Sequence, residues 1–143
     1  MVLHDQYTQS AYAAFSGDVT IGSDIRVALL DATHTPDLDN HMSWDDVSAD
    51  EVTGTNYTAG GELLTTISWT AGSNAITFDA DDVTWADSTI TADYAVIYDD
   101  TPADDLDKTL LQLVDFEGEE SSDNGDFTIS WDAAGIFEHT PRP

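Results

Sequence analysis

The chain has no cysteine, and only three of its 143 residues, Arg26, Lys108 and Arg142, are basic. Without thiols, disulfides, Cys-ligated zinc, iron–sulfur clusters and thiol catalysis are excluded. The lack of clustered bases argues against nucleic acid as a direct partner, because neutralising phosphates takes grouped Lys and Arg. The same shortage argues against docking on an anionic membrane leaflet. No run approaches the ~18 consecutive apolar residues of a membrane-crossing helix. Residues 1–15 have neither a basic start nor a continuous apolar stretch, so no export signal is expected there. Also missing are a Gly-x-Ser-x-Gly elbow, a Walker loop and a Gly-x-Gly-x-x-Gly turn after a strand. No period of about 20–50 residues recurs, which argues against a solenoid.

Negative charge is what the chain has in excess. It carries 29 Asp and Glu against the three bases, a formal net charge of −26. Of those acids 23 are Asp and 6 are Glu. In dilute buffer such a chain repels itself, which opposes compaction. At about 1 M salt the Debye length falls to about 3 Å and the repulsion is screened. The composition therefore reads as that of a protein of a hypersaline cytoplasm or brine. Acidic chains are often disordered, but disorder needs low hydrophobicity and few aromatics. Here 41% of residues are hydrophobic, with four Trp, five Tyr and five Phe. The length suits one domain, 1–143, with a single core.

Residues 5–15 read as a short amphipathic helix, capped by Asp5, with Tyr7, Ala11, Ala14 and Phe15 on one face. This arm, 1–17, either covers one end of the core or docks on a neighbouring subunit. Residues 24–30 are nearly continuously apolar, the mark of a central strand. Residues 31–61 form a long polar loop, uncommon inside a domain unless it is functional or contains short elements. Within it, 43–47 reads as one helical turn capped by Ser43 and pinned inward by Trp44. Residues 62–70, 75–79, 83–85, 90–98, 110–116 and 127–131 read as strands. Residues 72–74 and Asp123-Asn124-Gly125 read as turns, the latter a hairpin turn because Asn-Gly tolerates positive φ. Residues 99–107 form an acidic loop, 136–137 close the fold, and 138–143 are an exposed tail. The expected architecture is mainly β, an antiparallel β-sandwich or jelly-roll-like barrel with a short N-terminal helix.

Candidate chemistry is sparse. His34 and His41 share the long loop with Asp37, Asp39, Asp45 and Asp46, donors suited to a divalent metal. Their spacing matches no helical His pair, and the simpler reading is a solvated loop. Asp79, Asp81 and Asp82, and the acids of 99–107, offer oxygen ligands for Na⁺, Mg²⁺ or Ca²⁺. Neither cluster matches an EF-hand loop, and loose condensation of cations explains them more simply. No dedicated cofactor and no catalytic residue is expected. Paired carboxylates also serve glycoside hydrolysis, but in so acidic a chain a pair says little. Asn56-Tyr57-Thr58 is a glycosylation triplet, meaningful only if the chain meets an external glycosylation machinery.

Several segments occur together in one order: 26–30 (RVALL), 35–39 (TPDLD), 57–61 (YTAGG), 81–85 (DDVTW), 91–98 (TADYAVIY) and 126–131 (DFTISW). In that order and spacing, over residues 24–137, the chain resembles a family of small structural proteins of tailed phages and related proviruses, often encoded with head genes. The resemblance implies a virion component without enzymatic activity and supplies no catalytic residues. The acidic surface departs from bacterial phage relatives and points to a haloarchaeal tailed virus, with assembly in a hypersaline host cytoplasm. A compact β domain of this size resembles capsid decoration or cement proteins, which sit on the outside of the major capsid protein lattice, commonly as trimers or other homo-oligomers. A tail or head–tail connector component is the alternative. A secreted halophilic carbohydrate-binding module or glycosidase is a third reading. Trp44, Tyr57 and Trp85, with Tyr7 and Phe15 of the arm, are the aromatic candidates for filling partner pockets. Buried charge is costly, so subunit contacts should draw on the acid-poor stretches, 1–17, 52–76 and 136–143.

Overall fold

A computed structural model describes residues 3–7, 23–72 and 75–139. β2 (Ile25–Leu30) sits inside a five-stranded antiparallel sheet. It carries apolar side chains on both faces because both faces are covered. Ile25, Val27 and Leu29 enter one cluster of buried residues, and Ala28 and Leu30 the other. That accounts for the unbroken apolar run, where a half-exposed strand would alternate. β6 (Val83–Asp99) pairs with β2, and β7 (Leu110–Ile129) with β6. β1 (Leu3–Gln6) adds to β7 and β3 (Glu62–Leu63) to β2, giving the order β1-β7-β6-β2-β3. A second, three-stranded sheet is formed by β4 (Ser68–Gly72), β5 (Ala75–Asp79) and β8 (Phe137–His139), in the order β4-β5-β8. The molecule is therefore mainly β, with two antiparallel sheets.

The larger cluster joins the two sheets. Phe78 of the small sheet belongs to one buried cluster with Val83, Trp85, Phe127, Ile129, Trp131 and Ile136. Burying a large apolar side chain contributes about 1.5–3 kcal/mol, so this layer is a main source of stability. The second cluster lies across the large sheet, where Tyr7, Trp44, Val47, Val96, Tyr98, Leu110 and Leu113 pack together. Its lid is the long loop. The loop contains two 3-10 turns, Trp44–Asp46 and Ser48–Asp50, and the Trp44 ring stacks on Tyr98 at 4.4 Å. Backbone bonds strap it down, Trp44 N–H to the Lys108 carbonyl at 2.9 Å and Leu110 N–H to the Met42 carbonyl at 3.0 Å. At its far end Gly61, with φ +76°, lies so close to β2 that a Cβ would collide with the Val27 carbonyl.

The structure corrects the sequence reading at five elements. Residues 62–70 are not one strand: β3 and β4 divide them between the two sheets, and Thr66, with φ 54°, lies in the break. Residues 3–6 form a strand, paired from Leu3↔Asp115 to Gln6↔Gln112, so no helix begins at Asp5. The open edge of β7 offers backbone partners that a short isolated helix lacks. The remainder of that expected helix, with Phe15, lies outside the described residues. Residues 83–85 and 90–98 belong to one strand, bent where Asp87 takes φ 50°. Asp123-Asn124-Gly125 is no hairpin turn. Ser88 pairs with Gly125 and Ile90 with Ser122, so Asp123 and Asn124 bulge out of β7 opposite Thr89. Asn124 has φ 49°, and positive φ serves a bulge as well as a turn. The real reversal between β6 and β7 is the acidic loop. Lastly, 138–139 belong to β8 rather than to a free tail.

Candidate functional site

The long loop is folded by its own aspartates. The Asp31 carboxylate accepts the Thr33 N–H at 2.8 Å, and Asp37 accepts those of Asp39 and Asn40 at 3.2 and 3.1 Å. Such Asx turns let a short acid replace a backbone turn bond. They carry His34 and His41 to the same place, with ring centres 5.6 Å apart. His34 is buried against the edge of Tyr94, 5.4 Å between centres. Its Nδ1 lies 2.9 Å from an Asp50 carboxylate oxygen. Neither His34 Nε2 nor His41 Nδ1 has a hydrogen-bond partner, and both atoms are buried. Asp46 accepts the Met42 and Ser43 N–H groups at 2.8 and 3.0 Å. Those bonds hold its carboxyl below the usual carboxylate range. Asp37 is lowered in the same way, first by the Asn40 side-chain amide. Asp39 and Asp45 of the same loop are exposed.

The other acid clusters serve the fold. Asp81 accepts from the Thr65 and Thr66 hydroxyls at 3.2 and 2.6 Å, Asp82 accepts the Trp131 N–H at 2.9 Å, and Asp79 the Ala80 N–H at 2.9 Å. Each carboxylate thus has a separate structural task, and among the described residues no three His, Asp or Glu converge on one point. In the 99–107 loop, Asp100 binds Arg26 and Lys108, both at 2.8 Å, and Asp105 binds Lys108 at 2.8 Å. Asn56 donates to the Ala86 and Asp87 carbonyls at 3.3 and 2.9 Å, so its amide nitrogen is already engaged.

The proposed aromatic anchors require correction. Trp44, Trp85 and Tyr7 are buried at 6%, 2% and 0% exposure. They fill the core, which claims large apolar surface before any partner does. Tyr57 is half-buried; its hydroxyl accepts the Leu29 N–H at 3.0 Å and donates to Glu51 at 2.7 Å. Burial pushes that hydroxyl upward beyond the ordinary tyrosine range, and it likewise raises Glu51.

Among the described residues the exposed aromatic is Trp69, at 47%, accompanied by Ile76 at 40%. In the register of the small sheet Trp69 is opposite Phe78 and Ala71 opposite Ile76, while Phe78 is opposite Phe137. These side chains share one face, which is sealed at Phe78 and uncovered toward Trp69 and Ile76. Trp69 leans on Phe78 at 4.5 Å and on Phe137 at 5.8 Å between ring centres. β4 (SWTAG) contains no acid at all, and the stretch 52–76 only Glu62. Parts of two acid-poor segments, 52–76 and 136–143, thus meet in one sheet. The signal for Trp69 was present in the sequence, in the acid-free run around it.

Compared with family models, with curated proteins and with solved structures, the chain matches none of them. Among the described residues no helix is long and apolar enough to cross a membrane.

Proposed function

We propose that the protein is a virion structural component of a tailed virus of a hypersaline host, and that it decorates the outer face of the capsid. The observation that carries this reading is the segregation of its surface. A chain of net charge −26 leaves one sheet edge free of acids and one part of its apolar face uncovered, at Trp69 and Ile76. Exposed aromatic anchors are the usual centres of binding energy at protein interfaces, and an acid-free strand is where another acidic surface can approach. The partner is the major capsid protein, with a homo-trimer or other homo-oligomer as the arrangement on the particle. The exposed acids elsewhere face the brine and keep the assembled head hydrated. No enzymatic step is part of this role.

The test is occupancy on assembled particles in molar salt. Trp69→Ser should leave the fold in place, since the ring is half exposed, and reduce the number of copies on the capsid at least tenfold. Undiminished occupancy refutes the sheet as the contact surface. Density on the tail or at the head–tail junction, in a dozen copies or fewer, would replace decoration by the connector role. A carbohydrate-binding module would instead show sugar affinity in high salt. Stacking platforms for sugars commonly pair exposed aromatics, whereas Trp44, Trp85 and Trp131 are buried and, among the described residues, no second exposed aromatic accompanies Trp69.

A further inference from the structure

We propose that His34 and His41 form a binding site for one divalent transition cation of the zinc type, independent of the virion role. Two imidazoles from one loop present a buried ring nitrogen each, Nε2 of His34 and Nδ1 of His41, and neither nitrogen has a partner. A buried polar atom left unpaired costs about 1–3 kcal/mol, so two adjacent orphans call for a shared occupant.

The distances suit a metal ion. With about 2.0–2.1 Å from ion to nitrogen and about 1.2 Å from nitrogen to ring centre, each ring centre stands roughly 3.2 Å from a shared ion. Ring centres 5.6 Å apart then subtend about 120° at that ion, near the tetrahedral angle zinc prefers. No hydrogen bond joins the rings directly.

The chemistry agrees. An ionised carboxylate only accepts hydrogen bonds, so the Asp50 contact at 2.9 Å makes His34 Nδ1 the donor. In the neutral ring Nε2 is then a bare lone pair. A carboxylate orienting the far nitrogen of a ligating histidine is the recurrent support of zinc sites. Tyr94 packs edge-on against His34 and fixes the ring plane. The Asp37 carbonyl accepts the His41 N–H at 3.0 Å, so the loop carboxylates stand near the rings, and negative charge there favours a dication. Two imidazoles select borderline ions, Zn²⁺, Co²⁺, Ni²⁺ or Cu²⁺, over Mg²⁺ and Ca²⁺. Water completes the coordination.

Co²⁺ serves as the probe, added to the full chain in molar KCl with Mg²⁺ present to occupy surface carboxylates. One equivalent should produce a visible absorption band of nitrogen-ligated cobalt, which Zn²⁺ abolishes by displacement. The ¹⁵N resonances of His34 Nε2 and His41 Nδ1 should move with it. His41→Gln, at a half-buried position, should fold and lose at least about tenfold in affinity, and Asp50→Asn should lose about 10–100-fold. Equal Co²⁺ spectra in the wild-type protein and His41→Gln, or unmoved imidazole resonances, would overturn the site and assign the binding to surface carboxylates. A water bridging the two rings would give that same negative result.

Discussion

At the scale of single residues, burial separates side chains that hold the fold from side chains free to meet a partner. Trp44 and Trp85 belong to the first group. Trp44 closes the loop over Tyr98, and Trp85 packs edge-on to Phe127 at 5.9 Å. Replacing either by Ala should cost about 3–5 kcal/mol in denaturant unfolding, and any loss of capsid binding would follow from unfolding. Trp69→Ser should shift the same midpoint far less, because the ring is already half in water. Asp46 ties stability to pH. Its carboxylate is favoured in the folded state by two backbone N–H donors, so its folded pKa lies below its unfolded one. Its contribution is therefore fully present above the unfolded value of about 3.9. It is lost as pH falls through the folded value. Asp46→Asn should flatten that acid limb when the unfolding midpoint is followed from neutral pH downward; an unchanged limb would show that other carboxylates set it.

At the scale of elements, the sequence disclosed strands wherever local pattern and burial agreed. The run 24–30 and the alternation of 127–131 became β2 and the end of β7. The β-branched and aromatic stretch 90–98 became the inner half of β6. What local pattern misjudged was decided by distant partners. Residues 5–15 have helical spacing, yet the edge of β7 recruits 3–6 as a strand. Asn124-Gly125 has the dihedral freedom of a hairpin turn, but Ser88 bonds to Ser122 Oγ and to the Gly125 carbonyl at 2.8 and 3.1 Å and keeps the strand running. The loop 31–61 is polar in sequence, and its role as lid rests on Trp44 and Val47 with Leu38 packed beside them, a sparse signal. His34 and His41 lie seven residues apart, about 10 Å along a helix or about 23 Å along a strand, too far for either element to bring the rings together. Only the Asx turns of Asp31 and Asp37 bring the rings together. That part of the candidate site was legible as residue types and illegible as geometry.

At the scale of the whole molecule, net charge sets the conditions under which the fold exists. Self-repulsion destabilises the compact state, and salt in the molar range removes it. The thermal midpoint should therefore climb steeply from low salt to about 2 M KCl; a midpoint independent of salt would contradict the hypersaline reading. The loss at low salt will not be even. Arg26 and Lys108, two of the three bases, both grip Asp100, and Lys108 adds Asp105. Lys108 is held protonated above the ordinary lysine range by those two carboxylates. At the opposite end, Glu117, Glu119, Glu120, Asp123 and Asp126 line the bulged half of β7 with no basic residue in that stretch. The β6–β7 hairpin thus carries its own counterions at the end where the chain reverses, whereas among the described residues no Lys or Arg pairs with Glu119, Glu120 or Asp123 at the other. As brine is diluted, amide hydrogen exchange should spread from the bulges inward, while the reversal stays zipped as a seed from which the sheet reforms when salt returns.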